Sequence, residues 1–204
     1  MTSWVQRLLI ANVLVFFLQQ TVPGLEVQLA FIPAFMLARP WTIVTYMFLH
    51  ANLMHILFNM IALYFFGPRV EQRIGSERFF SLYMISGITG GLLSFIFAPA
   101  APIVGASGAI FGVMAATVLV ARQRGSTQIA SQFGFLLVIN LALSFGISHI
   151  SVGGHIGGLI GGTICALAIL AGERGMLGRN RLALELAAMT AVGVASVLIS
   201  IAIA

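Results

Sequence analysis

Between residues 79 and 121 the chain runs for 43 residues without a charged side chain, and between 125 and 172 for 48. A helix that crosses a bilayer needs about 20 predominantly apolar residues. Each run therefore holds two spans and a turn, the first broken at Pro99-Ala100-Ala101-Pro102 and the second near His149-Ile150-Ser151-Val152-Gly153. The same arithmetic places one span between Arg7 and Glu26, another within 40–68, and a seventh in the tail 182–204, where Glu185 is the only charge. Period-two alternation is absent, so the spans are helices rather than strands of a closed barrel. The first span lacks the cations and small-residue cleavage site of a signal peptide and reads as a retained helix. A chain that is 60% hydrophobic and 7% charged excludes a soluble globular enzyme, a disordered regulator and a disulfide-stapled domain. Lone Cys165 has no disulfide partner and reads as packing. All ten cations are arginine and all five acids glutamate, so no triad that needs aspartate is available. The expected domain is one polytopic unit, 1–204, with core helices over about 5–172 and an additional helix over about 181–203.

Arginine gives the orientation, because cytoplasmic loops carry the excess of cations. Arg7, Arg69, Arg73, Arg78, Arg122, Arg124, Arg174, Arg179 and Arg181 fall on one side of the seven spans, and Arg39 alone on the other. The N-terminus is expected in the cytoplasm and the C-terminus outside. Net charge +5 follows from this asymmetry, not from a nucleic-acid surface, and no nucleic-acid partner is expected. The connection 21–49 is broken by Pro23, Pro33 and Pro40 and rich in apolar residues. It is expected to lie in the outer interface with Trp41 at headgroup level.

Polar side chains within membrane spans are costly and mark function by default. The second span opens His50-Ala51-Asn52-Leu53-Met54-His55-Ile56-Leu57-Phe58-Asn59, with His55 and Asn59 on one helical face. The fourth opens Gly105-Ala106-Ser107-Gly108, and the sixth Gly153-Gly154-His155-Ile156-Gly157-Gly158. All three spans start on the outer side, which puts His55, Ser107 and His155 within about two turns of that surface. A serine and a histidine at matched depth suit nucleophilic catalysis, the imidazole taking the hydroxyl proton as the oxygen attacks a carbonyl. Each element has a plainer reading. Gly154, Gly158 and Gly162 form a helix-packing face, His50 a helix cap or interfacial residue, and His149 a solvated loop residue. A haem site lacks a partner for His155. A zinc site from His50, His55 and His155 lacks the usual carboxylate or thiolate.

Taken together these segments resemble the rhomboid family of intramembrane serine proteases. The resemblance covers roughly 40–162 and rests on His50-x4-His55-x3-Asn59, Glu71-x-Arg73-x-Gly75, Gly105-x-Ser107-Gly108 and His155-x2-Gly158-x3-Gly162, in the family's order. It implies an all-α six-helix bundle, here with a seventh C-terminal helix, and a Ser–His dyad opening to the outer face. It also implies a lateral gate in the fifth span (about 131–148) with a capping loop after it. By the same resemblance Ser107 is the nucleophile and His155 the base; His55, Asn59 and the Ser107 N–H hold the oxyanion; Phe111, Gly105, Gly108, Gly158 and His50 support them. Two positions depart from the family's common pattern. Thr42 follows Trp41 where bacterial members commonly carry arginine, and Phe111 replaces a frequent tyrosine.

The expected function is endopeptidase cleavage of transmembrane-helix substrates near the outer face of a bacterial inner membrane. Lipid and those substrates are the partners, and no cofactor or metal is required. A catalytically silent relative that only captures membrane clients would share the fold, but it would not need both Ser107 and His155. A small transporter would need polar groups along a path from both sides, whereas here they cluster near one.

Overall fold

The structure is a computed structural model describing residues 3–146, 151–173 and 181–203. His149, Arg174 and Arg179, and most of the expected capping loop, lie outside these residues. Seven long helices stand where seven spans are expected: α1 (Trp4–Thr21), α4 (Leu53–Ile74), α5 (Ser76–Phe97), α6 (Ser107–Gln123), α7 (Thr127–Gly146), α8 (Val152–Glu173) and α9 (Arg181–Ile203). Two short helices, α2 (Leu25–Leu29) and α3 (Thr42–Thr45), interrupt the first long connection. Among the described residues, five of the long helices are long and apolar enough to cross a membrane. The other two fall short for identifiable reasons. α6 has 17 residues, and α1 is diluted by Gln6, Arg7, Asn12, Gln19 and Gln20. The chain is a multi-pass integral membrane protein.

Helix ends explain much of the register. Ser3 and Gln6 form a reciprocal capping box on α1. The buried Glu71 carboxylate accepts from the backbone N–H of Trp4 (2.9 Å) and Val5 (3.1 Å) and from the Ser76 hydroxyl (2.7 Å). One acid in the Glu71-x-Arg73-x-Gly75 segment thus ties the start of α1 to the α4–α5 corner, where an anion is favoured by the helix dipole. Asn52 caps α4, its side chain accepting from His55 N–H at 2.8 Å. That corrects one expectation: His50 is not the cap, because α4 begins three residues after it.

The centre is α5, α6 and α8, packed most closely together. Small residues permit this. A methyl group at Gly158 would collide with the Gly108 carbonyl oxygen, and one at Gly162 with the backbone of Gly112. The glycine face is therefore a packing face, and it presses α8 onto α6. α1 packs on α4, and α9 lies against α5 and α8. Buried Glu185 joins α9 to the core, accepting from Arg181 Nε at 2.7 Å and pairing with Arg78 of α5. α7 is peripheral. Only 17% of its most apolar stretch is buried, against 56% for α5 and for α8, and it rests mainly on α6.

The connection between α1 and α4 is more ordered than a loop needs to be. Phe31, Met36 and Met47 are buried, whereas Val27, Phe35, Leu37 and Trp41 are exposed. Phe31 pairs with Ile103 as an isolated antiparallel bridge, holding this segment to the α5–α6 connection. Trp41 donates to the Gln28 carbonyl (3.2 Å) and Arg39 to the Val27 carbonyl (2.7 Å). Thr42, which replaces the family's common arginine, is buried and donates to the Arg39 carbonyl at 2.6 Å.

Candidate active site

Three helices begin at the same end of the bundle, and each carries one polar residue in its first turn. α4 presents His55, α6 begins at Ser107, and α8 carries His155. Gly105 is what turns the chain into α6. Its φ of +125° lies where only glycine sits easily, and a methyl there would stand 2.8 Å from His55 Nε2 and 3.8 Å from Ser107 Oγ. The helix therefore starts at Ser107 rather than at Gly105. Its first-turn N–H groups have no carbonyl four residues back to accept them. On α8, Ser151 accepts from Gly154 N–H at 3.0 Å and sets the helix start. The tight α6–α8 approach at Gly158 and Gly108 then brings His155 over Ser107.

The two side chains meet. His155 Nε2 lies 2.8 Å from Ser107 Oγ, with His155 7% exposed. Phe111, one turn beyond Ser107 on α6, stacks on the imidazole with centroids 4.3 Å apart and planes 23° apart. Stacking needs the ring face and not a hydroxyl, so phenylalanine suffices here.

His155 has another partner that the sequence does not single out. Ser144, buried near the end of α7, places its Oγ 2.6 Å from His155 Nδ1. The same hydroxyl donates to the Asn140 carbonyl at 2.9 Å. A hydroxyl has one proton and a carbonyl only accepts, so toward the histidine the Ser144 oxygen is the acceptor. Nδ1 then carries the ring proton, and the lone pair on Nε2 is left for the Ser107 hydroxyl. This is the tautomer that keeps both Ser144 hydrogen bonds, with its single hydroxyl proton on the Asn140 carbonyl.

Asn59 is buried and donates to the His55 carbonyl at 2.9 Å, which leaves its second N–H unspent. The His55 ring faces the Gly105–Ser107 turn, with Nδ1 accepting weakly from Ala51 N–H at 3.4 Å. His50 is buried behind it, edge-on at 5.1 Å between centroids. Its backbone is fixed by Gln19 of α1, which exchanges hydrogen bonds with His50 N–H (2.9 Å) and carbonyl (3.3 Å). No three His, Cys, Asp or Glu residues gather as a metal site among the described residues. Cys165 is buried in α8.

The class defined by this fold and corner is a helical membrane protein with a serine–histidine pair at one end of its bundle. A Rhomboid domain model matches residues 37–172. The chain belongs to the rhomboid family. It is 40% identical over 156 residues to Rhomboid protease GluP of Bacillus subtilis (strain 168), a match covering 75% of this chain and 31% of that protein. It is 39% identical over 136 residues to RHOMBOID-like protein 1 of Arabidopsis thaliana, covering 64% and 34%. It is 34% identical over 126 residues to Putative rhomboid protease YdcA of Bacillus subtilis (strain 168), covering 60% and 63%. The chain thus spans only part of the length of these relatives.

Proposed function

We propose that the chain is an intramembrane serine endopeptidase acting on transmembrane-helix substrates. The observation that carries this reading is the 2.8 Å approach of His155 Nε2 to Ser107 Oγ, with Nε2 left free to accept. Ser107 Oγ attacks the scissile carbonyl carbon while its proton passes to Nε2. The carbonyl oxygen becomes an oxyanion between the Ser107 N–H at the start of α6 and His55, with the spare Asn59 N–H on the same face. His155 then gives its proton to the leaving amine, and water attacks the acyl-enzyme with His155 again as base. Ser144 is a positioning residue: it touches neither substrate nor the reacting atoms, and it holds Nδ1–H so that Nε2 stays basic. A substrate helix hides its carbonyls in its own hydrogen bonds, so it must unwind locally to be cut. α7, the least buried of these spans beside the dyad, is the gate through which it enters.

The arginine distribution supports a cytoplasmic N-terminus, with the dyad at the outer face of a bacterial inner membrane. Labelling the purified full chain with a fluorophosphonate probe tests the chemistry. Wild-type protein is expected to label, while Ser107→Ala and His155→Ala do not and remain folded. Failure of folded wild-type protein both to label and to cleave a transmembrane substrate would instead make the chain a silent client-binding member of the family.

A further inference from the structure

At the end of the bundle opposite Ser107, a cleft of about 710 Å³ opens between α4, α6 and α7. Phe65, Phe133 and Leu136 form apolar wall, and Arg69, Arg73 and Arg124 also line it. Phe65 and Phe133 meet edge to face at 6.0 Å. Each cation has a different degree of engagement. The Arg69 guanidinium lies 4.4 Å above the Phe65 ring, and Arg124 pairs with Glu173 at 3.3 Å. Arg73 makes no ion pair among the described residues, although it belongs to the Glu71-x-Arg73-x-Gly75 segment whose glutamate is fully engaged. Three guanidinium groups line the cleft, and the one carboxylate that pairs with any of them, Glu173, is shared with Arg181, so a surplus of positive charge stands beside an apolar slot.

We propose that this cleft is a binding site for an anionic phospholipid. Its phosphodiester is held by Arg69, Arg73 and Arg124, and an acyl chain lies against Phe65, Phe133 and Leu136. Guanidinium pairs with phosphate through two parallel N–H donors, and basic pockets between membrane helices suit anionic headgroups. Charge selects the headgroup. A glycerol headgroup brings only the phosphate's negative charge, whereas choline would add a cation among three others. The lipid would brace α4 against α7, the helix least held by the rest of the bundle. The inference rests on the membrane placement and does not depend on the chemistry at Ser107.

Native mass spectrometry of the full chain, offered equal amounts of phosphatidylglycerol and phosphatidylcholine, tests it. Wild-type protein is expected to retain phosphatidylglycerol preferentially. The Arg69→Gln/Arg73→Gln/Arg124→Gln variant should lose that preference roughly 10-fold or more, with helix content and melting temperature near wild type. Leu136→Trp, which fills the slot and keeps every charge, should lose lipid too. Equal retention of the two lipids by the wild type would overturn the proposal without any variant. So would full phosphatidylglycerol preference in Leu136→Trp, since the arginines would then be acting as a surface field rather than a site. Displacement of the lipid by millimolar inorganic phosphate would mark a free-anion site instead. If the variants changed crosslinking to a transmembrane substrate and left lipid binding untouched, the cleft would belong to substrate.

Discussion

Ser144 is the residue whose role differs most from its appearance. In apolar helices a serine usually returns its proton to the carbonyl four residues back, and Ser86, Ser94, Ser144 and Ser196 all do so here. Ser144 alone of these also faces His155 Nδ1. Ser144→Ala is expected to lower kcat about 10-fold, part of the 10²–10⁴ that a positioned base supplies, with KM little changed. Ser144→Thr should recover most of that loss, and the melting temperature should stay put. If alanine and threonine fall equally, the hydroxyl is structural. Asn59 and His55 give a second test. Either alanine variant should reduce kcat by roughly 10-fold, less than the 10²–10³ of a sole donor. The double variant should lose less than the product if both serve one oxyanion. Unchanged activity in Asn59→Ala with a large drop in melting temperature would reduce Asn59 to its hydrogen bond with the His55 carbonyl. Ser107, His155 and His55 stand out in the sequence as polar groups at one depth in otherwise apolar spans, and Asn59 as the residue one turn deeper on the His55 face. Ser144 does not, since nothing local separates a serine that bonds only to its own helix from one that also touches a neighbour.

Elements show the same division between what is local and what is not. The seven long helices stand where uncharged runs predict spans, and the glycine spacing in α8 predicts a packing face before any partner is known. The start of α6 at Ser107 depends on the positive φ of Gly105, and the cap of α4 at Asn52 on its hydrogen bond from the His55 N–H, so both boundaries shift from where the polar segments seem to begin. Glu185 is the only charge in the run 182–204, and one of its two arginine partners, Arg181, lies four residues before it. Its other partner, Arg78, is 107 residues away, beyond the reach of any local pattern. The α6–α8 contact carries its own prediction. A methyl at Gly158 collides with the backbone at Gly108, and backbone does not step aside as a side-chain end does. Gly158→Ala should push the helices apart, weaken the His155–Ser107 contact, and reduce both melting temperature and probe labelling. Overpacking of this kind costs about 1–3 kcal/mol. Gly134→Ala in α7, where an added methyl has no neighbour within 4 Å, should leave both unchanged. A stable, fully labelled Gly158→Ala protein would mean that the close approach of these helices is not what aligns the pair.

For the whole molecule the question is which side the dyad faces. His55, Ser107 and His155 sit in the first turns of α4, α6 and α8, so one orientation moves all three together. The connection at Ala100 lies at that same end, and the α6–α7 turn at Ser126 at the other. Arginine crowds the second end: Arg122 and Arg124 precede that turn and Arg69 and Arg73 stand in the last turns of α4, whereas the long α1–α4 connection holds only Arg39. Each cation moved to the wrong side opposes the bias that sets membrane topology, and the lipid cleft with its three arginines needs the cytoplasmic leaflet for the same reason. Single cysteines at Ala100→Cys and Ser126→Cys, in a Cys165→Ser background, report the answer through a membrane-impermeant maleimide applied to intact cells. Ala100→Cys is expected to label at once, and Ser126→Cys only after the membrane is permeabilised. The reverse pattern would turn the Ser107 end toward the cytoplasm and strip the arginine argument of its force. The 2.8 Å contact between His155 and Ser107 would survive that reversal, because it depends on how α6 meets α8 and not on which way the bundle stands. Only the side from which substrate and water arrive would change.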